Sequence, residues 1–447
     1  MVSLLYKKFT QTQLIAGGFL LIILTGTFLL MLPVASANGT STGFLDCLFT
    51  ATSASCVTGL VVHDTFLHWS VFGQWVILGL IQIGGLGFMT VGVFFAIVLR
   101  RKIGLRIRGI LQESVNTLQI GGIVRLAKRI IIGTLLFEGV GAILLASRFV
   151  QDFGWAKGIY FGIFHSISAF CNAGFDLMGG QGAYLSLTGY TNDWIVNLTV
   201  MILIIVGGIG FLVWDDLYTK RFHFRKYRLH TKLVLVATGI LVIGGGILFY
   251  IFERSNTMAQ LPEHGKILGS LFSSVTARTA GFNTVDTGAL RDCSKLLTMI
   301  LMFIGGSPGS TAGGIKTTTL VVLLVYLRAN IKQDSSCNVF NRSLATETIK
   351  RASAVLCTNL SLSLIAMVLI TMQQPLPLTD VAFEVLSAIG TVGMSTGITR
   401  ELNEVSRIVI IFLMYCGRIG SLSFALSFRG HKQAAPVTQP VEQITIG

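Results

Sequence analysis

The segment Ser55-Cys56-Val57-Thr58-Gly59-Leu60 returns three times along this chain in altered form. Its counterparts are Phe170-Cys171-Asn172-Ala173-Gly174-Phe175, Ala277-Arg278-Thr279-Ala280-Gly281-Phe282 and Gly390-Thr391-Val392-Gly393-Met394. The last glycines of these segments are spaced by 115, 107 and 112 residues. A motif that recurs at a nearly constant interval indicates internal repeats, so the chain is predicted to contain four copies of one unit.

A short amphipathic stretch precedes each glycine segment. These stretches cover residues 43–55, 156–170, 265–277 and 379–389. A helix needs about 20 residues, at about 1.5 Å each, to cross the hydrocarbon core of a membrane. We therefore expect each stretch to form a half-membrane helix, after which the chain turns back through the glycine segment.

A second set of glycines follows the first at a similar distance in every repeat. Gly84-Gly85, Gly207-Gly208 and Gly305-Gly306 begin 25, 33 and 24 residues after the glycine of their segment, and Gly417-Arg418 begins 24 residues after. One such pair is weak evidence, because small residues are common where helices meet in membranes. Agreement of both sets across four repeats is strong evidence for a fourfold unit.

The composition excludes a soluble protein. Of the 447 residues, 52% are hydrophobic and 12% are charged, and the mean hydropathy is +0.73, whereas soluble domains have about 25% charged residues. Apolar stretches long enough to span a membrane flank the half-membrane helices. We expect outer helices near 14–32, 128–149, 232–252 and 352–372, and inner helices near 71–99, 194–213, 295–327 and 407–428.

The predicted fold is an all-α integral membrane protein with eight spans around one pore. Each repeat consists of an outer helix, a re-entrant pore helix with its loop, and an inner helix. One transmembrane domain, residues 1–447, would contain repeats at about 10–100, 123–214, 230–327 and 350–429, followed by a short cytoplasmic tail at 430–447.

Positive charge is concentrated in alternate loops. The net charge is +14, and 23 of the 34 Lys and Arg residues lie before residue 14, in 100–129, 215–232 and 328–351, and after 428. Loops rich in Lys and Arg face the cytoplasm, so both termini are predicted to be cytoplasmic. This distribution explains the charge without a nucleic-acid partner. The seven scattered cysteines indicate neither a zinc site nor a disulfide framework.

The glycine loops have the chemistry of a cation pore. Lipid cannot satisfy non-helical backbone at membrane depth, so such loops are buried in protein or line a water-filled path. Glycine lets successive carbonyls point one way, and a ring of carbonyl oxygens can replace the hydration shell of K⁺. The alternative is that these glycines are only turn residues of re-entrant hairpins. The predicted filter residues are Val57, Thr58, Gly59, Asn172, Ala173, Gly174, Thr279, Ala280, Gly281, Thr391, Val392 and Gly393.

The third inner helix is interrupted at residues 305–314. This stretch contains Pro308 and five glycines, and glycine and proline cost about 1 and about 3 kcal/mol in a helix interior. The run resembles a phosphate-binding loop, but Ile315 separates the lysine from the last glycine, so nucleotide binding is rejected. The break is a static kink or a movable gate. The candidate gate residues are Gly305, Gly306, Gly309, Gly313, Gly314, Lys316 and Arg418.

Arg418 occupies a position that is glycine in the other three repeats. A charged residue at mid-membrane costs at least about 3 kcal/mol and normally faces water. Arg418 is either tied to backbone carbonyls or to Glu138, or it is a fixed positive charge below the filter that contacts the interrupted segment. Glu138, inside an outer helix, is a candidate partner for Arg418 or Arg278.

Two other classes of function fit the sequence less well than a cation pore. A coupled secondary transporter also uses broken helices, but usually in two inverted repeats. A membrane enzyme would need catalytic groups, and the sequence has no paired intramembrane carboxylates, no His-rich set and no Ser/His/Asp constellation. The chain is therefore predicted not to be an enzyme.

The chain resembles the Trk/Ktr/HKT superfamily of potassium transporters, and specifically its bacterial KtrB-type membrane subunit. The resemblance runs over nearly the whole chain. It rests on the four glycine segments, on Gly305-Gly306-Ser307-Pro308-Gly309-Ser310-Thr311-Ala312-Gly313-Gly314-Ile315-Lys316-Thr317-Thr318-Thr319, and on Gly417-Arg418-Ile419-Gly420. The Trk type has two further N-terminal helices, which we expect this chain to lack.

The resemblance implies potassium uptake across the bacterial plasma membrane. In the family, glycine in all four loops accompanies potassium preference and serine in the first loop accompanies sodium, and Gly59 is glycine here. The resemblance also implies that 305–314 is a gating loop, that the subunit is a homodimer, and that a cytoplasmic RCK-type, KtrA-like subunit binds nucleotides and controls the pore. No cofactor is implied for this chain. A sodium-coupled or sodium-selective transporter is the alternative.

Overall fold

The computed structural model describes residues 10–87, 122–221, 223–334 and 336–421, and the single residues 90, 92, 109, 112, 424 and 442. The predicted tail at 430–447, apart from residue 442, lies outside the described residues. So do most of the second half of the first inner helix and the end of the fourth.

Helices make up most of the described chain. In order they are α1 (Gln11–Leu30), α2 (Phe44–Ser55), α3 (Thr65–His68), α4 (Val71–Leu86), α5 (Ile123–Phe153), α6 (Trp155–Cys171), α7 (Trp194–Gly208), α8 (Phe211–Lys220), α9 (Leu229–Glu253), α10 (Glu263–Thr276), α11 (Asp292–Ile304), α12 (Thr317–Ile331), α13 (Thr346–Gln373), α14 (Leu378–Gly390) and α15 (Glu404–Ile419). Between α12 and α13, β1 (Asn338–Val339) and β2 (Arg342–Ser343) form an antiparallel hairpin. Single 3-10 turns lie at Pro33–Ala35, Met178–Gly180, Thr188–Tyr190, Phe224–Lys226 and Ile398–Arg400.

Four long apolar helices, α1, α5, α9 and α13, lie where the outer helices were predicted. Among the described residues these are long and apolar enough to cross a membrane, and only 22 to 39% of the most apolar window of each is buried. Their other faces point outward, as lipid contact requires. α7 and α8, bent by 95°, would add one broken span. The predicted all-helical membrane fold is confirmed, whereas the count of eight spans stays a prediction.

A short helix packs against each long one: α2 on α1, α6 on α5, α10 on α9 and α14 on α13. These helices have 12 to 17 residues and lie close to the predicted half-membrane positions. Pro262 and Pro377 precede α10 and α14, a position that tolerates the missing N–H of proline. Each short helix also buries a phenylalanine completely, which contributes about 1.5–3 kcal/mol apiece: Phe49, Phe164, Phe272 and Phe383.

The inner helix of each unit (α4, α7, α11 and α15) stops at a glycine-containing turn. The left-handed glycines are Gly87, Gly210, Gly305 and Gly420, with φ of 77°, 96°, 49° and 94°. Glycine adopts these angles without the steric cost of a Cβ atom. The continuous inner helix predicted at 194–213 is therefore wrong, because the chain breaks after Gly208 and continues as α8. Likewise α4 and α15 stop at Leu86 and Ile419, earlier than predicted.

Candidate functional site

The four glycine segments approach one another in order around a ring. A Cβ atom built on Gly59 would lie 2.5 Å from the carbonyl oxygen of Ala173 in the second segment. Gly174 has the same relation to the third segment, because a Cβ atom built there would lie 2.6 Å from the carbonyl oxygen of Ala280. Real Cβ atoms do not approach so closely, so a side chain at either glycine would displace the neighbouring backbone.

The ring closes between the last segment and the first. Gly281 faces the carbonyl oxygen of Val392, and Gly393 faces that of Thr58. The four ring glycines have φ between +71° and +94°, angles that side chains rarely tolerate. The structure thus brings the predicted filter glycines, and the residue before each, into one contact system.

The first residue of each predicted filter triplet is also left-handed. φ is 57° at Val57, 60° at Asn172, 95° at Thr279 and 52° at Thr391. Such angles cost about 1–3 kcal/mol for a residue other than glycine, and they persist only where the surroundings impose them. The side chains of Asn172 and Thr279 hydrogen-bond each other at 3.0 Å, which links the second and third segments. The same strained turn therefore leads from short helix to loop in every unit.

Buried hydroxyl groups on α2 and α14 hold the first and fourth loops. The Gly59 N–H donates to Ser53 Oγ at 3.0 Å, and the Gly393 N–H donates to Ser387 Oγ at 3.0 Å. Both serines are fully buried. The orientation of these two ring glycines thus depends on a side chain six residues earlier.

Hydroxyl groups on α6 and α10 hold the second and third loops as hydrogen-bond donors, whereas those on α2 and α14 act as acceptors. Ser168 Oγ donates to the carbonyl oxygen of Phe175, and Thr276 Oγ1 donates to that of Phe282, both at 2.7 Å. These four hydroxyl–backbone hydrogen bonds were not predicted from the sequence. Their signal was present, since a serine or threonine lies five or six residues before the ring glycine in all four units.

All four ring glycines line one cavity of about 360 Å³. The carboxylates of Asp64, Asp176 and Asp286 share its wall with the guanidinium of Arg400. Burial raises the pKa of Asp176 to about 6, and the nearby Asp64 carboxylate contributes in the same direction. At neutral pH the cavity therefore has an excess of negative charge, which raises the local concentration of cations.

The interrupted segment between α11 and α12 is fastened to the break between α7 and α8. The Ser307 N–H donates to the carbonyl oxygen of Gly208 at 3.0 Å, and the Phe211 N–H donates to that of Gly309 at 2.7 Å. Helix ends leave backbone groups without intrahelical partners. A loop from the third unit satisfies such groups at a helix break in the second.

Arg418 ties the same segment to the first unit. Its guanidinium donates to the carbonyl oxygens of Thr311 and Gly84, and to that of Gly85 at 3.2 Å. Carbonyl anchoring and contact with the interrupted segment were predicted as alternatives, and both are found. Arg418 is therefore the link between α15, α4 and the segment.

Among the residues that the structure describes, Glu138 accepts a hydrogen bond from a glutamine rather than pairing with an arginine. Gln82 Nε2 donates to Glu138 Oε2 at 3.1 Å. Within the described residues no ion pair joins Glu138 to Arg278 or Arg418, so neither pairing considered from the sequence forms.

Two candidate gate residues, Gly313 and Gly314, lie against the turn of the fourth glycine segment. Lys316 Nζ donates to the carbonyl oxygens of Ala312 and Gly313, at 2.8 Å and 3.2 Å, which closes the segment on itself. Gly313 abuts the side chain of Thr391. The interrupted segment therefore touches a predicted filter residue directly. The seven candidates belong to this assembly: Gly305, Gly306, Gly309, Gly313, Gly314, Lys316 and Arg418.

Comparison with known proteins identifies relatives along the whole chain. Residues 9–437 match the family model TrkH, described as cation transport protein. The chain is 41% identical to the potassium/sodium uptake protein NtpJ of Enterococcus hirae, over 99% of this chain and 98% of that protein. It is 42% identical to the Ktr system potassium uptake protein B of Bacillus subtilis, over 96% and 95% of the two chains.

A solved structure has the same fold. The crystal structure of the potassium transporter TrkH from Vibrio parahaemolyticus superposes with a TM-score of 0.69 at 18% identity. The match covers 92% of this chain and 84% of that one.

Proposed function

Because the chain belongs to the TrkH family of cation transport proteins, we propose that it takes up potassium across a bacterial plasma membrane. It is a multi-pass membrane transporter and not an enzyme. The names of its relatives from Bacillus subtilis and Vibrio alginolyticus, both potassium uptake proteins, support potassium as the transported ion.

The closed ring of four glycine segments carries this proposal. We propose that the twelve predicted filter residues form one potassium-selective filter in this ring, with K⁺ held by backbone carbonyl oxygens. Support comes from the contacts of Gly59, Gly174, Gly281 and Gly393, because each of these glycines joins its segment to the neighbouring one. The ends of the four short helices add partial negative charge that favours a cation at the same place.

The topology that fits this filter has eight spans and two cytoplasmic termini. Each unit then contributes its long helix and the helix after the glycine segment, in one transmembrane domain of residues 1–447. The basic loops support the cytoplasmic assignment. The acidic cavity above the ring then faces outward and collects cations.

The interrupted segment and Arg418 form the gate in this proposal. The support is positional: Gly313 abuts Thr391, while Arg418 bonds to Thr311 on one side and Gly84 on the other. A planar guanidinium offers five donors and stays charged, which suits it to hold a loop by its carbonyls.

A second candidate function is sodium-coupled or sodium-selective transport. It is favoured by one observation, the name of the relative from Enterococcus hirae, a potassium/sodium uptake protein. The glycine at position 59 favours potassium.

We also propose the assembly that the resemblance implies. The chain forms a homodimer and binds a cytoplasmic RCK-type nucleotide-binding subunit. Relatives named as members of a Ktr system support a complex of several components. A purified complex of both subunits tests this directly.

Rubidium uptake into a potassium-uptake-deficient strain tests the central proposal. Cells that express this chain should accumulate rubidium, potassium should compete strongly, and sodium should compete weakly. Proteoliposomes without any co-transported ion then separate a channel-like path from obligate coupling. Equal competition by sodium and potassium would support the second candidate function.

A further inference from the structure

Two of the four short helices contain a buried ionisable side chain at the same position relative to the ring glycine. His165 on α6 and Glu384 on α14 each lie nine residues before the ring glycine of their unit. Both are completely buried. In the first and third units the same position is Thr50 and Phe272. Burying a polar group is costly unless it is hydrogen-bonded, so the partners of His165 and Glu384 indicate what these side chains do.

The imidazole of His165 holds the second loop. Its Nδ1 atom bonds to the carbonyl oxygen of Phe161 at 2.8 Å, and its Nε2 atom bonds to the N–H of Leu177 at 3.3 Å. A carbonyl oxygen can only accept and an amide N–H can only donate, so Nδ1 carries the proton and Nε2 accepts. Leu177 comes three residues after the ring glycine Gly174. The short helix therefore fixes the backbone that follows the ring glycine.

The carboxyl group of Glu384 has the same relation to the fourth loop. Ser395 Oγ donates to Oε2 at 2.8 Å, and Thr399 Oγ1 donates to Oε1 at 2.5 Å. Ser395 Oγ also accepts from the N–H of Gly397 at 2.9 Å. These three loop residues line the cavity that the ring glycines share. Both oxygens of Glu384 thus hold the wall of that cavity.

The segment 184–187 of the second unit holds the first and third loops from outside. The Tyr184 hydroxyl donates to the carbonyl oxygen of Val62 at 3.1 Å, and the Asn283 N–H donates to Ser186 Oγ at 3.2 Å. Because the ring contacts run in chain order, the second and fourth units lie opposite each other, as do the first and third. One opposed pair of loops is therefore held from outside, and the other pair by its own short helices.

We propose that His165 and Glu384 are positioning residues for potassium selectivity, an inference that rests on the proposed filter. Glycine adopts positive and negative φ about equally readily, so a ring glycine does not by itself keep the adjoining carbonyl oxygens in place. His165 and Glu384 fix the chain two to six residues beyond the ring glycine. Loss of either side chain frees one loop, and loss of both frees an opposed pair, so that the ring no longer excludes sodium.

Sodium competition against rubidium uptake by the full chain tests this inference. We expect His165→Leu and Glu384→Leu each to weaken the potassium preference several-fold, and the double variant to weaken it further. His165→Gln and Glu384→Gln should retain most of the preference, because the amide oxygen can still accept from the Leu177 N–H or from the Thr399 hydroxyl.

Thr50→Val and Phe272→Leu are the matched controls, because they change the same position in the units whose loops are held from outside. Thr50 Oγ1 donates to the carbonyl oxygen of Asp46 within α2, and Phe272 belongs to the hydrophobic core. Both variants should keep the selectivity of the unmodified protein, although Phe272→Leu should lower the thermal midpoint because it loosens the core. A fall in selectivity that follows thermal stability across all variants, controls included, would overturn the proposal.

A further variant removes the bonds of Glu384 from the loop side. Ser395→Ala combined with Thr399→Val takes away both hydroxyl donors and leaves the sequence of α14 unchanged. Its selectivity should fall as in Glu384→Leu. Selectivity equal to that of the unmodified protein, in this variant and in His165→Leu, would overturn the proposal.

Amide hydrogen exchange at Leu177 reports on the His165 bond whichever cation is transported. Exchange should be faster in His165→Leu and unchanged in Thr50→Val. Faster exchange with undiminished selectivity would make this bond part of the scaffold and overturn the proposal. A lack of potassium preference in the unmodified protein would instead overturn the proposed function, and the same uptake assay separates the two failures.

Discussion

Gly393 faces the carbonyl oxygen of Thr58, which lies 335 residues earlier in the chain. This contact places the last glycine segment directly on the first and closes the ring. Symmetric oligomers close such rings with identical copies of one surface. Here a single chain supplies four unequal copies, so each position of the ring can be changed by itself.

Gly59→Ser should relax the discrimination between potassium and sodium. The new side chain would push against the carbonyl oxygen of Ala173 and misplace one quarter of the ring. We expect the potassium preference to fall about tenfold, which corresponds to about 1.4 kcal/mol. Sodium competition against rubidium uptake measures it.

The control for this variant is Gly79→Ser in α4, because nothing lies within 4 Å of a Cβ atom at that position. It should transport normally and keep its selectivity. Unchanged selectivity after Gly→Ser at each of the four ring positions would falsify the shared filter.

Ser168→Ala should weaken selectivity while the protein still reaches the membrane. It removes the hydrogen bond to the carbonyl oxygen of Phe175, and a typical hydrogen bond contributes about 0.5–1.5 kcal/mol. Sodium should compete more strongly against rubidium uptake, and the thermal midpoint of the purified protein should decrease. Ser147→Ala, on an exposed face of α5, is the control. Equal selectivity in the two variants would show that this hydrogen bond does not affect ion selectivity.

Arg418→Ala should increase potassium flux and weaken its dependence on the regulatory subunit. The substitution removes the hydrogen bonds to Thr311 and Gly84 that hold the interrupted segment. Deletion of residues 309–314 should have the same effect, and both variants should keep their ion preference because every residue of the four glycine segments is retained.

Flux measured with and without the partner subunit decides this prediction. Arg351→Ala is the control, because that arginine forms an exposed pair with Glu347 on α13. Flux that drops, or that stays fully dependent on the partner in both gate variants, would make Arg418 and the segment part of the scaffold.

A reporter enzyme fused after Gly447 should be inactive if it works only outside the cell. The basic loops predict cytoplasmic termini. The matched fusion carries the same reporter inserted after Gly182, in the loop that flanks the acidic cavity, and should be active. The reverse pattern would invert the topology and place the proposed regulatory subunit on the wrong side.

Transport should decline as the external pH falls through about 6. Burial raises the pKa of Asp176 to about that value, so the carboxylate is charged above this pH and neutral below it. The cavity then loses negative charge and attracts fewer cations. In Asp176→Asn the decline around pH 6 should disappear, and uptake at a pH of about 7.5 should resemble that of the unmodified protein at a pH of about 5, since the side chain is then neutral in both. A decline of the same size in Asp176→Asn would assign the effect to another group.

The short helices and ring glycines could be predicted because their signals are local. A stretch too short to span, followed by a glycine, recurs four times, and the helices lie near the predicted positions. The break after Gly208 was missed because Ile209, Phe211 and Leu212 continue the apolar run, so composition alone indicates one helix. The bond from Phe211 to Gly309 has no local signal, since the two residues come from different units.

The contacts of Arg418 illustrate the same limit. Its sequence position suggested a link to the interrupted segment or to backbone carbonyls. The particular carbonyls, on Thr311 and Gly84, follow from packing three units together.

The bond between the Phe211 N–H and the Gly309 carbonyl has a further consequence for movement of the interrupted segment. While this bond and that from Ser307 to Gly208 exist, the segment completes the backbone hydrogen bonding of a helix break in another unit. If the segment withdraws, Phe211 and Gly208 expose polar backbone that only water can satisfy. Opening of the segment and entry of water are then one event, because water must hydrate the exposed backbone groups. Concentrated osmolytes that are too large to enter the pore should therefore hold the segment shut without touching it.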